Sequence, residues 1–272
     1  MKKIFLVTIF SMAIIISFSQ EKNISSRQQK KNERKDRISQ LIKQEEEGSL
    51  IFHKQSVFGI KLTSDGYGAF YELGRLKTPT KTNLYSLEIG ERKHAKEEKL
   101  SRGDAFGLLV GNPFIYGKIN NFYYAKLGIG QQRLIGGKGN KNGVAVTALY
   151  GGGLSAGLLK PYYLDINDPR TGKRSDVKHV DNDSITSLFL NPAVINGASG
   201  LGKGFKDIKF VPGAYAKAGL RFDYGRYNEI VSAVEVGVHV EFYSKNMPIL
   251  LLQKERKLFF NAYAAIVFGR RK

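Results

Sequence analysis

The sequence contains no cysteine and no tryptophan, and only 7 of its 272 residues are proline. Without cysteine, the chain cannot form disulfides, thiolate zinc sites or iron–sulfur sites. Beyond the N-terminus, no apolar run approaches the ~20 residues that a membrane-spanning helix needs. Disulfide-stapled scaffolds and helical membrane proteins are therefore excluded.

The abundant residues point to a folded chain with a strong positive charge. Apolar residues make up 42% and charged residues 25%, which is unlike the composition of a disordered chain. The formal net charge is +19 at pH 7. This excess indicates that anionic partners are available to the protein, but it does not identify them.

Residues 1–19 have the layout of a secretory signal peptide. Lys2 and Lys3 precede an apolar stretch from Ile4 to Phe18, and Ser17 and Ser19 supply small residues before a cut at Gln20. No cysteine follows the cut, so a lipoprotein anchor is excluded. We expect export from the cytoplasm; the alternative is a monotopic N-terminal anchor.

Residues 20–50 are dominated by charges and cannot bury enough apolar surface to fold alone. We expect a short charged periplasmic arm, serving either as a solvated tether or as a segment that docks on a partner or on anionic headgroups.

From residue 51 onward the hydrophobic period is two. Between 230 and 243, Val234, Val236 and Val238 fall on one face of a strand, whereas Glu235, His239 and Glu241 fall on the other. A helix would mix these sets. The same pattern predicts eight strands, at 51–62, 66–76, 82–93, 121–131, 143–155, 211–224, 230–243 and 258–270.

Strand length and loop pattern favour a membrane barrel over residues 51–272. Most segments have 11 to 14 residues, which suits tilted membrane-spanning strands. Apart from a tight first connector at 63–65, long and short connectors alternate, with long extracellular loops at 94–120, 156–210 and 244–257. We predict an all-β fold, an antiparallel transmembrane up-and-down β-barrel of about eight strands, with six or ten as alternatives. A soluble sandwich would need a polar outer face, which the valines contradict.

Aromatic residues near the predicted strand ends are expected to form the girdles that meet lipid headgroups. They are Tyr71, Tyr85, Tyr150, Tyr224, Tyr243 and Phe268.

With the apolar face outside, the inward face carries a near-balanced set of charges. An eight-stranded barrel is just wide enough to be filled by side chains, so these charges are expected to pair. We predict a plugged lumen and not a diffusion pore. The predicted lumen charge network is Lys61, Glu72, Glu88, Lys126, Lys217, Arg221, Asp223, Glu235, His239 and Glu241.

Apolar runs interrupt the loops 94–120 and 156–210, as in 106–110 and 185–189. Such runs predict packing over the barrel mouth or against another protein, and the sequence leaves both open. The candidate partner contacts in the arm and loops are Arg27, Lys30, Lys31, Arg34, Leu108, Leu109, Phe114, Leu188 and Phe189.

Motifs for catalysis or cofactor binding are weak. Residues 197–203 have the spacing GxxxxGK, but Gly204 stands where a phosphate-binding loop needs Ser or Thr. Asp165, Asn167 and Asp168 lack the remaining spacing of a calcium loop. His239 and Glu241 share one face without a serine, so no Ser–His–acid line is visible. We expect no catalytic residue, cofactor or metal, and no nucleic-acid partner.

Several short motifs are spread over most of residues 55–268. They are Phe58-Gly59, Asp65–Gly68, Glu88-Ile89, Lys93–Glu97, Tyr116–Asn120, Gly130–Arg133, Gly152–Ser155 and Lys160–Tyr163. Together they resemble the motifs of a family of small Bacteroidota outer-membrane β-barrels, and they carry no known chemistry. The resemblance implies an outer-membrane location in a Gram-negative bacterium and a role in an envelope complex.

These observations predict a non-enzymatic accessory or scaffolding subunit of an outer-membrane complex, such as barrel-assembly or secretion machinery. The expected partners are outer-membrane lipid, lipopolysaccharide, and other outer-membrane proteins or lipoproteins. The alternatives are a stand-alone surface-binding or structural barrel and, less favoured, a lipid A-modifying enzyme.

Overall fold

The computed structural model describes residues 31–35, 52–101, 112–138, 143–168, 172–200, 202–225 and 229–272. The chain divides into two units, 1–46 and 47–272. In the first unit, residues 31–35 are helical and exposed. Among the described residues, no helix has the length and hydropathy that crossing a membrane requires.

Eight long antiparallel strands of the second unit close into a barrel, as the sequence predicts. The strands are β1 (Lys54–Thr63), β2 (Gly66–Thr78), β3 (Lys81–Arg92), β6 (Asn120–Gly136), β7 (Ala145–Pro161), β11 (Lys209–Asp223), β12 (Ile230–Met247) and β13 (Arg256–Arg271). Their order around the barrel is β1-β13-β12-β11-β7-β6-β3-β2, so each strand pairs with two neighbours.

The connectors distinguish the two ends of the barrel. The terminal end holds both ends of the barrel sequence and the connectors 79–80, 137–144 and 224–229. The cap end holds the connectors 64–65, 93–119, 162–208 and 248–255. The tight connector at 64–65 is a hairpin turn between β1 and β2, so the count of eight strands is confirmed.

The connectors of the cap end fold into a layer that we call the cap. It contains β4 (Lys99–Leu100), β5 (Phe114–Ile115), β8 (Tyr163–Asn167), β9 (Arg174–Lys178), α1 (Asp183–Phe189), β10 (Ile195–Ala198) and a 3₁₀ turn, Phe205–Asp207. Strands β10, β8 and β9 form a small sheet, and β4 pairs with β5. Asn182 caps α1, because its side chain accepts a hydrogen bond from the Ser184 backbone.

The period of two separates an apolar outer wall from a polar lumen. In β12, Val234, Val236 and Val238 are exposed on the outside, whereas Glu235 and Glu241 are buried inside. Five of the predicted girdle aromatics are exposed, but Tyr243 is fully buried. The girdle prediction is wrong for Tyr243 because the alternation of side chains along β12 places it on the same inward face as Glu241.

Candidate functional site

Two clusters of paired charges fill the middle of the barrel. The first, nearer the terminal end, centres on Arg221, whose Nη2 lies 2.5 Å from both Glu72 Oε2 and Glu235 Oε2. Lys217 Nζ lies 2.6 Å from the second oxygen of Glu72. Tyr263 donates a hydrogen bond of 2.8 Å to Glu235. Each carboxylate is therefore held by at least two donors.

The second cluster lies nearer the cap end and is built around Glu88 and Glu241. Lys126 Nζ lies 2.9 Å from Glu88 Oε1 and 2.5 Å from Glu241 Oε1, and so links the two carboxylates. Lys61 completes the partners of Glu88. His239 Nε2 lies 3.1 Å from Glu241 Oε1.

All ten residues of the predicted lumen network face the lumen. Nine are buried, and the Lys217 side chain is 9% exposed. Nine of the ten belong to these two clusters, while Asp223 lies apart, near the terminal end. There it pairs with Arg271 and lies 3.7 Å from Lys138 Nζ. The structure thus brings the predicted residues together in three groups along the barrel.

Sequence reasoning missed several members of this network. Arg92 bridges Asp65 and Glu241, at 2.5 and 2.6 Å. Arg271 donates a hydrogen bond to Gln55 and pairs with Asp223. Both arginines share the inward parity of their strands, so extending the period of two to the strand ends would have found them.

Lumen aromatics pack over inward glycines of other strands. A Cβ added to Gly128 would lie 2.0 Å from the Tyr215 hydroxyl, and one added to Gly90 would lie 2.5 Å from that of Tyr124. These positions need glycine because the ring occupies the space of a side chain. The rings and charged side chains together fill the lumen.

An apolar layer separates the charge clusters from the cap. Phe122 packs edge-on against Tyr243 and Phe259, with ring centroids 5.4 and 5.6 Å apart. Met247 and Ile249 join the same buried cluster. Packed hydrocarbon thus covers the charge clusters on the cap side, except where Arg92 pairs with Asp65 in the cap-end connector 64–65.

The cap has its own hydrophobic core, which contains Phe114, Leu164, Ile166, Phe189 and Ile195. Phe114 is 3% exposed and Phe189 is 0% exposed. We therefore correct the prediction that these two side chains contact a partner, because they pack inside the cap. The run 185–189 packs within the cap, the first of the two predicted arrangements, whereas the run 106–110 lies outside the described residues.

The other predicted contacts differ in accessibility. Lys31 and Arg34 are exposed in the helical residues 31–35, and Leu188 is half-buried against the cap core. Arg27, Lys30, Leu108 and Leu109 lie outside the described residues.

Two clefts open on the cap. One, of about 480 Å³, is lined by Lys96, Glu98, Tyr116 and Leu252 among others. The other, of about 330 Å³, is lined partly by Lys178, His179, Asp207 and Lys209. Hydrogen bonds from Lys178 and Tyr163 hold the pKa of the Asp207 carboxyl below its usual value, whereas burial lowers the pKa of His179. The second cleft thus presents a carboxylate, ammonium groups and a neutral imidazole at pH 7.

His239 and Glu241 face the lumen, both buried, and not the outer wall. The described residues contain no group of three or more His, Asp or Glu able to hold a metal ion. Asp165 of the calcium-like stretch accepts hydrogen bonds from Arg174.

The chain matches no known protein family model, and no curated protein gives a significant match. Among solved structures it is similar to Neisserial surface protein A, with 9% identity and a TM-score of 0.36 over 81% of this chain and 97% of that chain. The N-terminal β-barrel domain of Pseudomonas aeruginosa OprF has 11% identity and a TM-score of 0.36, over 80% of this chain and 98% of that chain. Ail, the attachment invasion locus protein of Yersinia pestis, has 10% identity and a TM-score of 0.35, over 82% of this chain and 100% of that chain. These likenesses are too distant to argue function, and the Bacteroidota family stays a prediction.

Proposed function

We propose that this chain is a non-enzymatic outer-membrane β-barrel that acts as an accessory or scaffolding subunit of an outer-membrane protein complex, such as barrel-assembly or secretion machinery. The observation that carries this proposal is a lumen filled by paired charges beneath a folded cap. A filled barrel offers no route for a solute, which leaves its surfaces to perform the function.

The outer wall supports a membrane location. Large apolar side chains cover it, including Ile60, Leu127 and Leu154, each more than half exposed. Exposure of such a surface to water is unfavourable, whereas contact with the hydrocarbon of a bilayer is favourable. Closure of the sheet also pairs the backbone groups of all eight strands, as hydrocarbon requires. A signal peptide at residues 1–19 would direct export across the inner membrane, and in the outer membrane lipopolysaccharide would surround the cap end.

The cap supports a scaffolding role. Its core fixes the shape of the loops, so its surface is pre-organised for a partner and costs little entropy on binding. Val180 and Leu252 are exposed there, at 49% and 64%. These apolar side chains are the contacts that we assign to another outer-membrane protein or lipoprotein.

Affinity purification in mild detergent tests the proposal. The tagged native protein should retain an outer-membrane protein or lipoprotein in a fixed stoichiometry, and the double variant Val180→Asp, Leu252→Asp should lose it. Val144→Asp is the matched control, because Val144 is an exposed apolar residue at the terminal end. An isolated wild-type barrel, or equal loss in the control, would contradict the accessory role.

Conductance tests the filled lumen separately. Purified barrel reconstituted in planar bilayers should give no steady single-channel current. Stable currents in the wild type would contradict a non-transport function whatever the purification shows.

The cleft of about 480 Å³ favours a second candidate, a stand-alone barrel that binds a small surface ligand. Its mixed lining of Lys96, Glu98 and Leu252 suits a ligand with both polar and apolar parts. Here no stoichiometric partner should co-purify, and Tyr116→Ala should abolish ligand binding to intact cells while leaving the barrel folded.

A further inference from the structure

Cations crowd the outward face of the barrel at its terminal end. They lie on β1, β2, β3, β6 and β13, and all but the half-buried Lys81 are exposed. We call this set the cation girdle; its members are Lys54, Arg75, Lys77, Lys81, Arg133 and Arg270. Among the described residues of this end, Glu229 is the one exposed acidic side chain.

Each girdle side chain lies at the edge of the apolar outer wall. Arg75 shares the outward parity of Leu73, and Arg270 that of Phe268; these two apolar residues are 46% and 54% exposed. Arg133 lies over the ring of Tyr150, with its Cζ 5.5 Å from the ring centroid. Outward side chains at this level of a membrane barrel meet lipid headgroups, while their aliphatic stems lie along hydrocarbon.

The strand register places like charges directly opposite each other. Lys54 is the cross-strand partner of Arg75, and Lys81 is the partner of Arg133. Directly opposed like charges destabilise a sheet unless a counter-charge lies near. In the part of the chain that the structure describes, none of these four residues pairs with a carboxylate; Arg133 donates instead to Gln131.

The cap end is different because its charges are mixed and partly paired. Lys178 pairs with Asp207 at 3.0 Å, and Glu91 accepts a hydrogen bond from Tyr67. Both signs of charge are exposed there, including Glu98 and Glu255 beside Arg256. Among the described residues of the terminal end, by contrast, the six girdle cations share the surface with one exposed acidic side chain.

We propose that the cation girdle binds the phosphate groups of anionic phospholipids of the phosphatidylglycerol class. A phosphate between two opposed cations turns each repulsive pair into an attractive bridge, and arginine holds phosphate oxygens through two parallel hydrogen bonds. The outward aim of the side chains favours a lipid over an acidic protein, because lipid surrounds the wall at this level. The proposal needs the membrane location argued above, but no partner protein.

Native mass spectrometry of the full mature barrel tests the proposal. The barrel is taken from nanodiscs that contain equal amounts of phosphatidylglycerol and phosphatidylcholine, and the retained lipids are counted. Wild type should retain phosphatidylglycerol preferentially by about fivefold or more, the factor expected from one cation at a lipid surface. The variant Lys54→Gln, Arg75→Gln, Lys81→Gln, Arg133→Gln should bring that ratio close to one.

A control variant at the cap end also removes four positive charges: Lys93→Gln, Lys206→Gln, Lys209→Gln, Arg256→Gln. It should keep the wild-type preference, and heat-dependent gel mobility should show that both variants are folded. A wild type without headgroup preference, or an equal loss of that preference in both variants, would overturn the proposal that the cation girdle binds anionic lipid. A barrel that retains no lipid of either kind would instead contradict the membrane location.

Discussion

The two walls of the same eight strands obey opposite rules. The lumen wall carries nearly all of its charge in pairs, whereas the outer wall presents branched aliphatic and aromatic side chains to its surroundings. An unpaired charge is costly in the lumen, and in the bilayer that we propose any charge at mid-height on the outer wall would be costly too. A substitution should therefore have a different effect on each wall.

The largest effect should follow from breaking a lumen pair. Arg221→Met leaves Glu235 with Tyr263 as its remaining donor and should lower the free energy of unfolding by about 3–5 kcal/mol. Urea titration of the barrel in lipid vesicles, followed by circular dichroism, measures it. The double variant Arg221→Met, Glu235→Gln keeps the Glu72–Lys217 pair and should recover most of the loss, and no recovery would show that charge pairing is not the cause.

A charge on the outer wall should be the next most damaging. Val236 lies midway along the outward face of β12, and Val236→Lys should cost about 2–4 kcal/mol of unfolding free energy at the bilayer midplane. Ile230→Lys, at the end of the same strand, should cost about 0–1 kcal/mol. Equal costs at the two positions would contradict a bilayer-spanning wall.

A change of volume without charge comes third. Gly128→Ala would push a methyl group into the Tyr215 hydroxyl, and such overpacking typically costs about 1–3 kcal/mol. The same substitution at Gly136 meets nothing within 4 Å. Thermal unfolding should therefore separate the two variants, and similar melting temperatures would contradict the tight ring-over-glycine contact.

The smallest effect concerns titration in the cap, away from both walls. Hydrogen bonds from Arg174 lower the pKa of the Asp165 carboxyl. A lowered folded-state pKa adds stability above the ordinary carboxyl pKa, and this stability is lost as pH falls through the folded value. Because Arg174 is largely exposed, the gain is small. In a carbon-13 NMR titration, Arg174→Gln should raise the Asp165 midpoint, while Arg133→Gln should leave it unchanged.

The sequence period predicts the barrel but not the full length of its strands. Strands β7 and β12 extend to Pro161 and Met247, beyond the predicted ends at 155 and 243. Their extra residues contact the cap and rim, and such tertiary support leaves no local pattern. The cap sheet was missed for a similar reason, since strands of four or five residues are too short to show a period.

The site residues were predictable where alternation along a strand alone determines whether a side chain faces the lumen. Glu72 and Arg221 follow from alternation within well-defined strands, but their mutual pairing depends on barrel closure across five strands. Phe114 and Phe189 could not be assigned from the sequence, because an apolar loop residue looks alike whether it fills a local core or awaits a partner.

Closure of the barrel also fixes the order in which it can be made. Strand β1 pairs with β13, and the hydrogen bond from Arg271 to Gln55 joins residues 216 apart in the sequence. Until β13 arrives, both edges of the growing sheet expose unpaired backbone groups that invite aggregation. Such distant contacts are also slow to form. The barrel can therefore close only once β13 is present. A chain truncated before β13 would remain an open sheet.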